Sequence, residues 1–176
     1  MSGHNKWSKI KRQKEKTDSQ KSKIFGKFVK LITVEAKKAG GNVNAPGLKA
    51  VIERAKAANV PNDNIDRAVK KFSEGGAAME AITYEAYGPG GCALVIEALT
   101  DNRNKAAQEI KFILSKNGFA LAGMGAASWA FTRKPDMTWE AQTTVPLSDE
   151  DGEKLGVLVD ELEENDEVQD VYTNAE

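Results

Sequence analysis

Apolar residues recur at one, three and four positions from about Ser22 onward: Ile24, Phe25, Phe28, Leu31 and Ile32. That spacing predicts an amphipathic helix. Lys21, Lys23, Lys27 and Lys30 fall largely outside the stripe, and Gly40-Gly41 ends it. A second helix is predicted from about Pro46, with Leu48, Val51, Ile52 and Ala55 facing inward and Asn59 at its end. Pro61 opens a third, whose apolar face is Ile65, Ala68, Val69 and Phe72, stopped by Gly75-Gly76. Three short helices with tight connections predict an antiparallel helical domain over residues 1–76. Residues 1–18 carry only Trp7 and Ile10 as large apolar groups, so a flexible start is expected there.

The period changes after about residue 80. Ile82–Tyr87 and Cys92–Leu99 read as strands around a Gly88-Pro89-Gly90-Gly91 turn. Asp101 or Asn102 can cap a helix carrying Ala106, Ile110, Ile113 and Leu114, which Asn117-Gly118 terminates. Ala127–Thr132 reads as a strand with Trp129 and Phe131 on one face, and Trp139–Leu147 as another. Ser148 starts a helix with Leu155, Leu158, Val159 and Leu162 as its stripe, and Val168–Thr173 closes as a strand. The predicted class is α+β. A three-helix domain precedes a ferredoxin-like βαββαβ domain, residues 77–176, with an extra strand at its front.

Charge changes this picture because it is sorted along the chain. Residues 1–76 hold 18 Lys+Arg against 7 Asp+Glu, and residues 148–176 hold 1 against 12, although the whole chain nets only −1. Clustered cations are the footprint of a phosphate-binding surface. The acidic end would be repelled by the same partner, so the orientation of approach is set before contact. The 40% apolar content suits packed cores. The single cysteine, Cys92, sits in an apolar run and reads as a small buried hydrophobe. No run approaches the roughly 18 apolar residues of a membrane span. The Lys-rich start has no apolar core behind it, so a cytoplasmic location without membrane association is expected.

Candidate chemistry points to binding rather than catalysis. The single histidine, His4, has no cysteine or carboxylate at ligand spacing. No metal, cofactor or small-molecule substrate is expected, and no acid/base or nucleophile constellation supports an enzyme. Gly88–Gly91 reads as a hairpin turn before a phosphate cradle. The segment from Gly3 to Lys14 is different. It interleaves His4 and Trp7 with Lys6, Lys9, Lys11, Arg12 and Lys14, and Lys16, Lys21, Lys23 and Lys27 continue the charge. Cations hold phosphates without reading sequence. Trp7 and His4 can stack on unpaired bases. The alternative is that Trp7 packs on the helical domain over solvated lysines. Asp101, Asn102 and Arg103 form a second polar cluster, read equally as a functional site or as a helix cap with a surface arginine.

The motifs Gly-His-Asn-Lys-Trp-Ser-Lys-Ile-Lys at 3–11, Lys-Ile-Phe at 23–25, Tyr-Glu-Ala-Tyr-Gly-Pro-Gly-Gly at 84–91, Thr-Asp-Asn-Arg-Asn at 100–104, Gln-Thr-Thr-Val-Pro-Leu at 142–147 and Val-Gln-Asp-Val-Tyr-Thr-Asn at 168–174 occur in order. On these the chain resembles the YebC/PmpR family, which includes the mitochondrial translational activator of cytochrome oxidase. The resemblance implies an N-terminal helical domain followed by α/β domains, and a non-enzymatic role in gene expression. It points to Gly3, His4, Lys6 and Trp7 as the nucleic-acid end. Family members carry a further α/β domain between the strand matching Ala127–Lys134 and the Gln-Thr-Thr-Val-Pro motif, which this chain lacks. The leading expectation is a translation factor that binds ribosomal RNA on the large ribosomal subunit. The alternatives are a transcriptional regulator on duplex DNA, and an interaction module docking a basic protein through the acidic helix Ser148–Asn165.

Overall fold

The computed structural model describes residues 16–75 and 78–176. The chain divides into two compact units, Lys16–Met79 with Lys134–Thr138, and Glu80–Arg133 with Trp139–Glu176.

In the first unit, helix α1 (Asp18–Lys38) starts at a capping box. Gln20 N–H donates to Thr17 Oγ1 at 3.2 Å, and Thr17 N–H donates to Gln20 Oε1 at 2.9 Å. The helix therefore begins ahead of the expected Ser22, and Thr17-Asp18 belong to it rather than to a loose leader. The cap, not the apolar stripe, decides where it starts. At its other end Gly41 N–H reaches Ala36 O at 2.9 Å and Gly40 N–H reaches Lys37 O at 3.3 Å. This reverse turn needs Gly40 and Gly41 at φ +59° and +80°. Helices α2 (Pro46–Ala57) and α3 (Asn62–Lys70) follow as the prolines predict. Asn59 closes α2 in the left-handed region, at φ +65°. Ile32, Ala36, Leu48, Val51 and Ile65 meet in the core of the unit. Phe72 does not join them. It falls past the last turn of α3, in a 3-10 turn Lys71–Ser73, and is 42% exposed.

In the second unit, β1 (Glu80–Tyr87) and β2 (Ala93–Thr100) pair antiparallel along their whole length, from Glu80↔Thr100 to Tyr87↔Ala93. The Gly88–Gly91 turn joins them, and Gly88 N–H closes it on Cys92 O at 2.8 Å. Next come α4 (Arg103–Lys116), β3 (Leu121–Ala122), β4 (Phe131–Arg133), β5 (Trp139–Ala141), α5 (Asp149–Glu164) and β6 (Val168–Thr173). The main sheet has the order β3-β1-β2-β6 with every pairing antiparallel. Strands β2 and β3 thus run parallel with β1 between them, and α4 crosses from one to the other. This is the split arrangement expected, but the strand inserted in its middle is β1, the one read as an extra at the front.

Ala127–Thr132, expected as a strand of this sheet, makes a 3-10 turn at Ser128–Ala130 and then the short β4, which pairs only with β5 in a separate two-stranded sheet. The reason lies in β1. Glu85 is buried, and its carboxylate accepts the N–H groups of Gly125 (2.7 Å), Ala127 (2.9 Å) and Ser128 (2.6 Å). Those donors are lost to any ladder. Trp129 and Phe131 consequently part company, Trp129 being 63% exposed and Phe131 7%. The strand expected through Leu147 ends at Ala141, and Gln142 N–H adds one more hydrogen bond in the β4–β5 register, to Ala130 O at 2.7 Å. Beyond it Val145 makes a single parallel bridge to Ala175.

Leu94, Ile96 and Ala98 pack on Ile110 and Leu114 of α4 and on Leu155 and Leu158 of α5. Ala93 and Val95 point the other way, onto Ala127, Ala130 and Phe131. Glu97 is the polar clasp of that second face. Its Oε1 accepts from Thr83 Oγ1 (2.8 Å), Arg133 Nη1 (2.9 Å) and Trp139 Nε1 (2.8 Å). Cys92 is fully buried, and burial pushes its thiol pKa up.

Burial alone would raise the Glu85 pKa, but the three backbone donors outweigh it and hold the carboxyl below its usual value. A depressed folded value stabilises the fold above the unfolded value of about 4.3, and that contribution is lost as pH falls through the folded value. Glu85→Gln is expected to cost about 1–3 kcal/mol at neutral pH, because its NH₂ faces donors. Its stability should also vary less than wild type in acid. Urea denaturation followed by tryptophan emission at neutral pH and below pH ~4 reads both effects.

Candidate nucleic-acid interface

Of the residues read from sequence as phosphate ligands, Lys16, Lys21, Lys23 and Lys27 are described. Gly3, His4, Lys6, Trp7, Lys9, Lys11, Arg12 and Lys14 lie outside the described residues. Lys16 sits just ahead of the α1 cap. At 3.6 residues per turn, Lys23, Lys27, Lys30 and Lys37 fall within about 80° of arc and span about 21 Å along the axis of α1. Ile32 and Ala36, the buried residues of α1, lie on the opposite side. Val34 interrupts the lysine stripe. Lys21 is exposed and points about 200° away from Lys23, so the structure does not bring it to this face. Lys30 and Lys37 join in its place. Lys38, in the last turn, is paired with Glu35 at 3.2 Å. Lys37 and Lys38 also complement the negative end of the helix dipole.

The Asp101-Asn102-Arg103 cluster holds a strand-to-helix joint. Thr100 Oγ1 accepts the Asn102 N–H at 2.9 Å, and Asn102 Oδ1 caps α4 by accepting the Lys105 N–H at 3.0 Å. Arg103 reaches across to Glu80 in a two-nitrogen ion pair. The hydrogen bond to Arg103 holds the Glu80 carboxyl below its usual pKa, and Glu80 in turn raises that of Arg103. Lys105 pairs with the buried Glu167 at 3.1 Å. Asp101 is exposed beside this joint. Among the described residues no group of three or more His, Cys, Asp or Glu side chains could hold a metal ion, and no helix is long and apolar enough to cross a membrane.

Sequence reasoning missed two exposed aromatic features. Trp129 Nε1 donates to Tyr87 Oη at 2.9 Å, and Tyr87 O–H donates to Ala126 O, with Met124 fully exposed on the same loop. The alternation of Ala127–Thr132 looked like a strand, and no local signal revealed the loop that Glu85 holds. The second feature is Phe72, whose helical spacing concealed its position beyond the end of α3.

A family model described as TACO1/YebC protein N-terminal domain matches residues 5–75. One described as TACO1/YebC second and third domain matches 79–138 and 134–175. A protein of Desulforamulus reducens named "Probable transcriptional regulatory protein" is 37% identical over 240 aligned positions, covering 100% of this chain and 99% of that protein. One of the same name from Pelotomaculum thermopropionicum is 39% identical, with the same coverage. The crystal structure of a conserved hypothetical protein from Aquifex aeolicus superposes with a TM-score of 0.79 at 30% identity, covering 97% of this chain and 96% of that one. The 240 aligned positions exceed the 176 residues of the chain by 64. The two pieces of the second family model meet at 134–138, the tip between β4 and β5.

Asn102→Ala removes the α4 cap and is expected to lower stability by about 1 kcal/mol. Thermal unfolding by circular dichroism measures it. If the cluster serves the joint alone, nucleic-acid affinity of this variant stays at the wild-type value.

Proposed function

The chain belongs to the TACO1/YebC family, and on that premise we propose that it is a non-enzymatic, nucleic-acid-binding regulator of gene expression. The observation that carries the reading is the lysine face of α1. Its apolar side is committed to the helical core, and its opposite side lines up Lys23, Lys27, Lys30 and Lys37. Such a row neutralises successive phosphates whatever the base sequence. Residues 3–16 extend the same charge in sequence, and Gly3, His4, Lys6 and Trp7 belong to the proposed contact. The acidic stretch 148–176 belongs to the other unit and is repelled by the same phosphates.

The name carried by the relatives supports a regulator of transcription ahead of the ribosome-associated translation factor expected first from sequence. The ribosomal RNA reading is kept as the second for one reason. No described helix has the character of a duplex-reading helix: α1 buries one side, and α3 is short, with Asp63 and Asp66 beside Arg67 and Lys70.

Lys23→Glu, Lys27→Glu and Lys30→Glu combined should leave the fold intact, since all three lie on the side of α1 opposite the buried Ile32 and Ala36. Affinity for a duplex DNA and for a structured RNA should both fall, and the wild-type dependence of log K on log salt should flatten by up to about 3. Titrations at several salt concentrations provide the measurement. Unchanged affinity and slope would reject α1 as the phosphate contact. Loss confined to DNA favours the transcriptional reading, and loss confined to RNA the ribosomal one.

A further inference from the structure

Phe72 occupies a place that neither the core nor the phosphate stripe explains. Its ring lies against Gly41, in the turn that ends α1. A Cβ added at Gly41 would meet Cδ1 and Cε1 at 2.7 Å and Cγ at 3.1 Å. An edge-on approach to the Cδ1–Cε1 bond would leave Cγ much farther away, so Gly41 covers a face of the ring. The ring is nevertheless 42% exposed. Glycine at position 41 is favoured twice over: its φ of +80° strains a residue with a side chain, and an added Cβ would displace the ring. The aromatic is therefore seated against the Gly41 backbone on one face while part of the ring stays exposed.

Its surroundings are cationic. Lys71 is its neighbour and Lys70 ends α3, while Lys37 and Lys38 lie in the last turn of α1, just before Gly41. The 71–73 turn packs on α1. The acids nearest in sequence are Glu74, Asp66, which lies one turn before Lys70 on α3, and Glu35, which pairs with Lys38. The lysine row of α1 thus ends, at Lys37, at the same end of the helix as this ring. A seated aromatic among lysines combines the two elements that hold single strands, a stacking surface and a charge that tracks the backbone.

We propose that Phe72, backed by Gly41 and flanked by Lys37, Lys70 and Lys71, is a stacking platform for an unpaired base of single-stranded RNA. This rests on the nucleic-acid reading above and adds to it the strandedness of the ligand. Unpaired bases are a standing feature of folded RNA, in loops and bulges, whereas duplex DNA keeps its bases stacked and offers none to Phe72.

The test is equilibrium binding of the full chain to a single-stranded RNA carrying one 2-aminopurine, to the fully paired RNA duplex of equal length, and to the matching single-stranded DNA. Phe72→Ala should weaken single-strand RNA binding about 5- to 100-fold and leave duplex binding unchanged. Phe72→Trp should retain single-strand affinity. The 2-aminopurine emission should fall on binding wild type and not on binding Phe72→Ala. Equal losses on single strand and duplex, or no loss on either, overturn the proposal. A larger loss on single-stranded DNA than on RNA overturns RNA as the ligand. A wild-type chain that binds no nucleic acid overturns both this proposal and the function it rests on. Wild-type binding that is abolished by the three-lysine variant but untouched by Phe72→Ala overturns the platform alone.

Discussion

The antiparallel pairing of β1 with β2 sets Leu94, Ile96 and Ala98 on one face of the sheet and Ala93, Val95 and Glu97 on the other. Both faces of β2 then need cover, which is why this strand is almost continuously apolar. Helices α4 and α5 serve the first face. The second is closed by the 125–130 turn and the β4–β5 hairpin, and the turn brings backbone N–H groups into a buried place. Glu85 answers that demand by accepting three N–H groups of the 125–128 turn, while the half-buried Glu97 gathers the side chains of Thr83, Arg133 and Trp139 on the same face. A buried carboxylate is stable only when its acceptor sites are filled, and here they are.

The helical unit solves a different problem with one element. Helix α1 buries Ile32 and Ala36 and turns Lys23, Lys27, Lys30 and Lys37 to the opposite side. Packing and charge fall mostly on separate arcs of the same helix, with Val34 the one apolar residue inside the lysine arc. The Gly40-Gly41 turn ends this helix and also supports Phe72. A backbone feature required by the fold thereby positions an exposed ring.

The relatives align over more positions than this chain has, and the family match breaks at the β4–β5 tip. Five residues, Lys134–Thr138, close that tip. Lys134 N–H donates to Thr138 O at 2.8 Å, and Thr138 N–H donates to Asp136 Oδ1 at 3.0 Å, with Met137 at φ +71°. The Thr138 hydroxyl and N–H hold the Asp136 carboxyl below its usual pKa. The hairpin is complete as a tight loop, so the sheets do not require the additional segment.

Much of the architecture was legible in the sequence because it is local. Helix faces, the Pro46 and Asn59 limits of α2, the Asn102 and Ser148 caps and the glycine turn of the β1–β2 hairpin each depend on residues within a few positions of one another. The charge separation and the family motifs were legible for the same reason, being properties of the chain itself. What the sequence could not order were contacts made across long separations. Which strand enters the split βαβ unit depends on β1 taking the place beside β2. The fate of Ala127–Thr132 depends on a carboxylate at Glu85, 40 or more positions away. Periodicity assigned Phe72 to a helix face, and only its seat on Gly41 shows the ring to be outside the core. Local hydrogen bonds and side-chain spacing determine elements, whereas the partners that fill buried donors and acceptors are chosen by tertiary proximity, which periodicity does not encode.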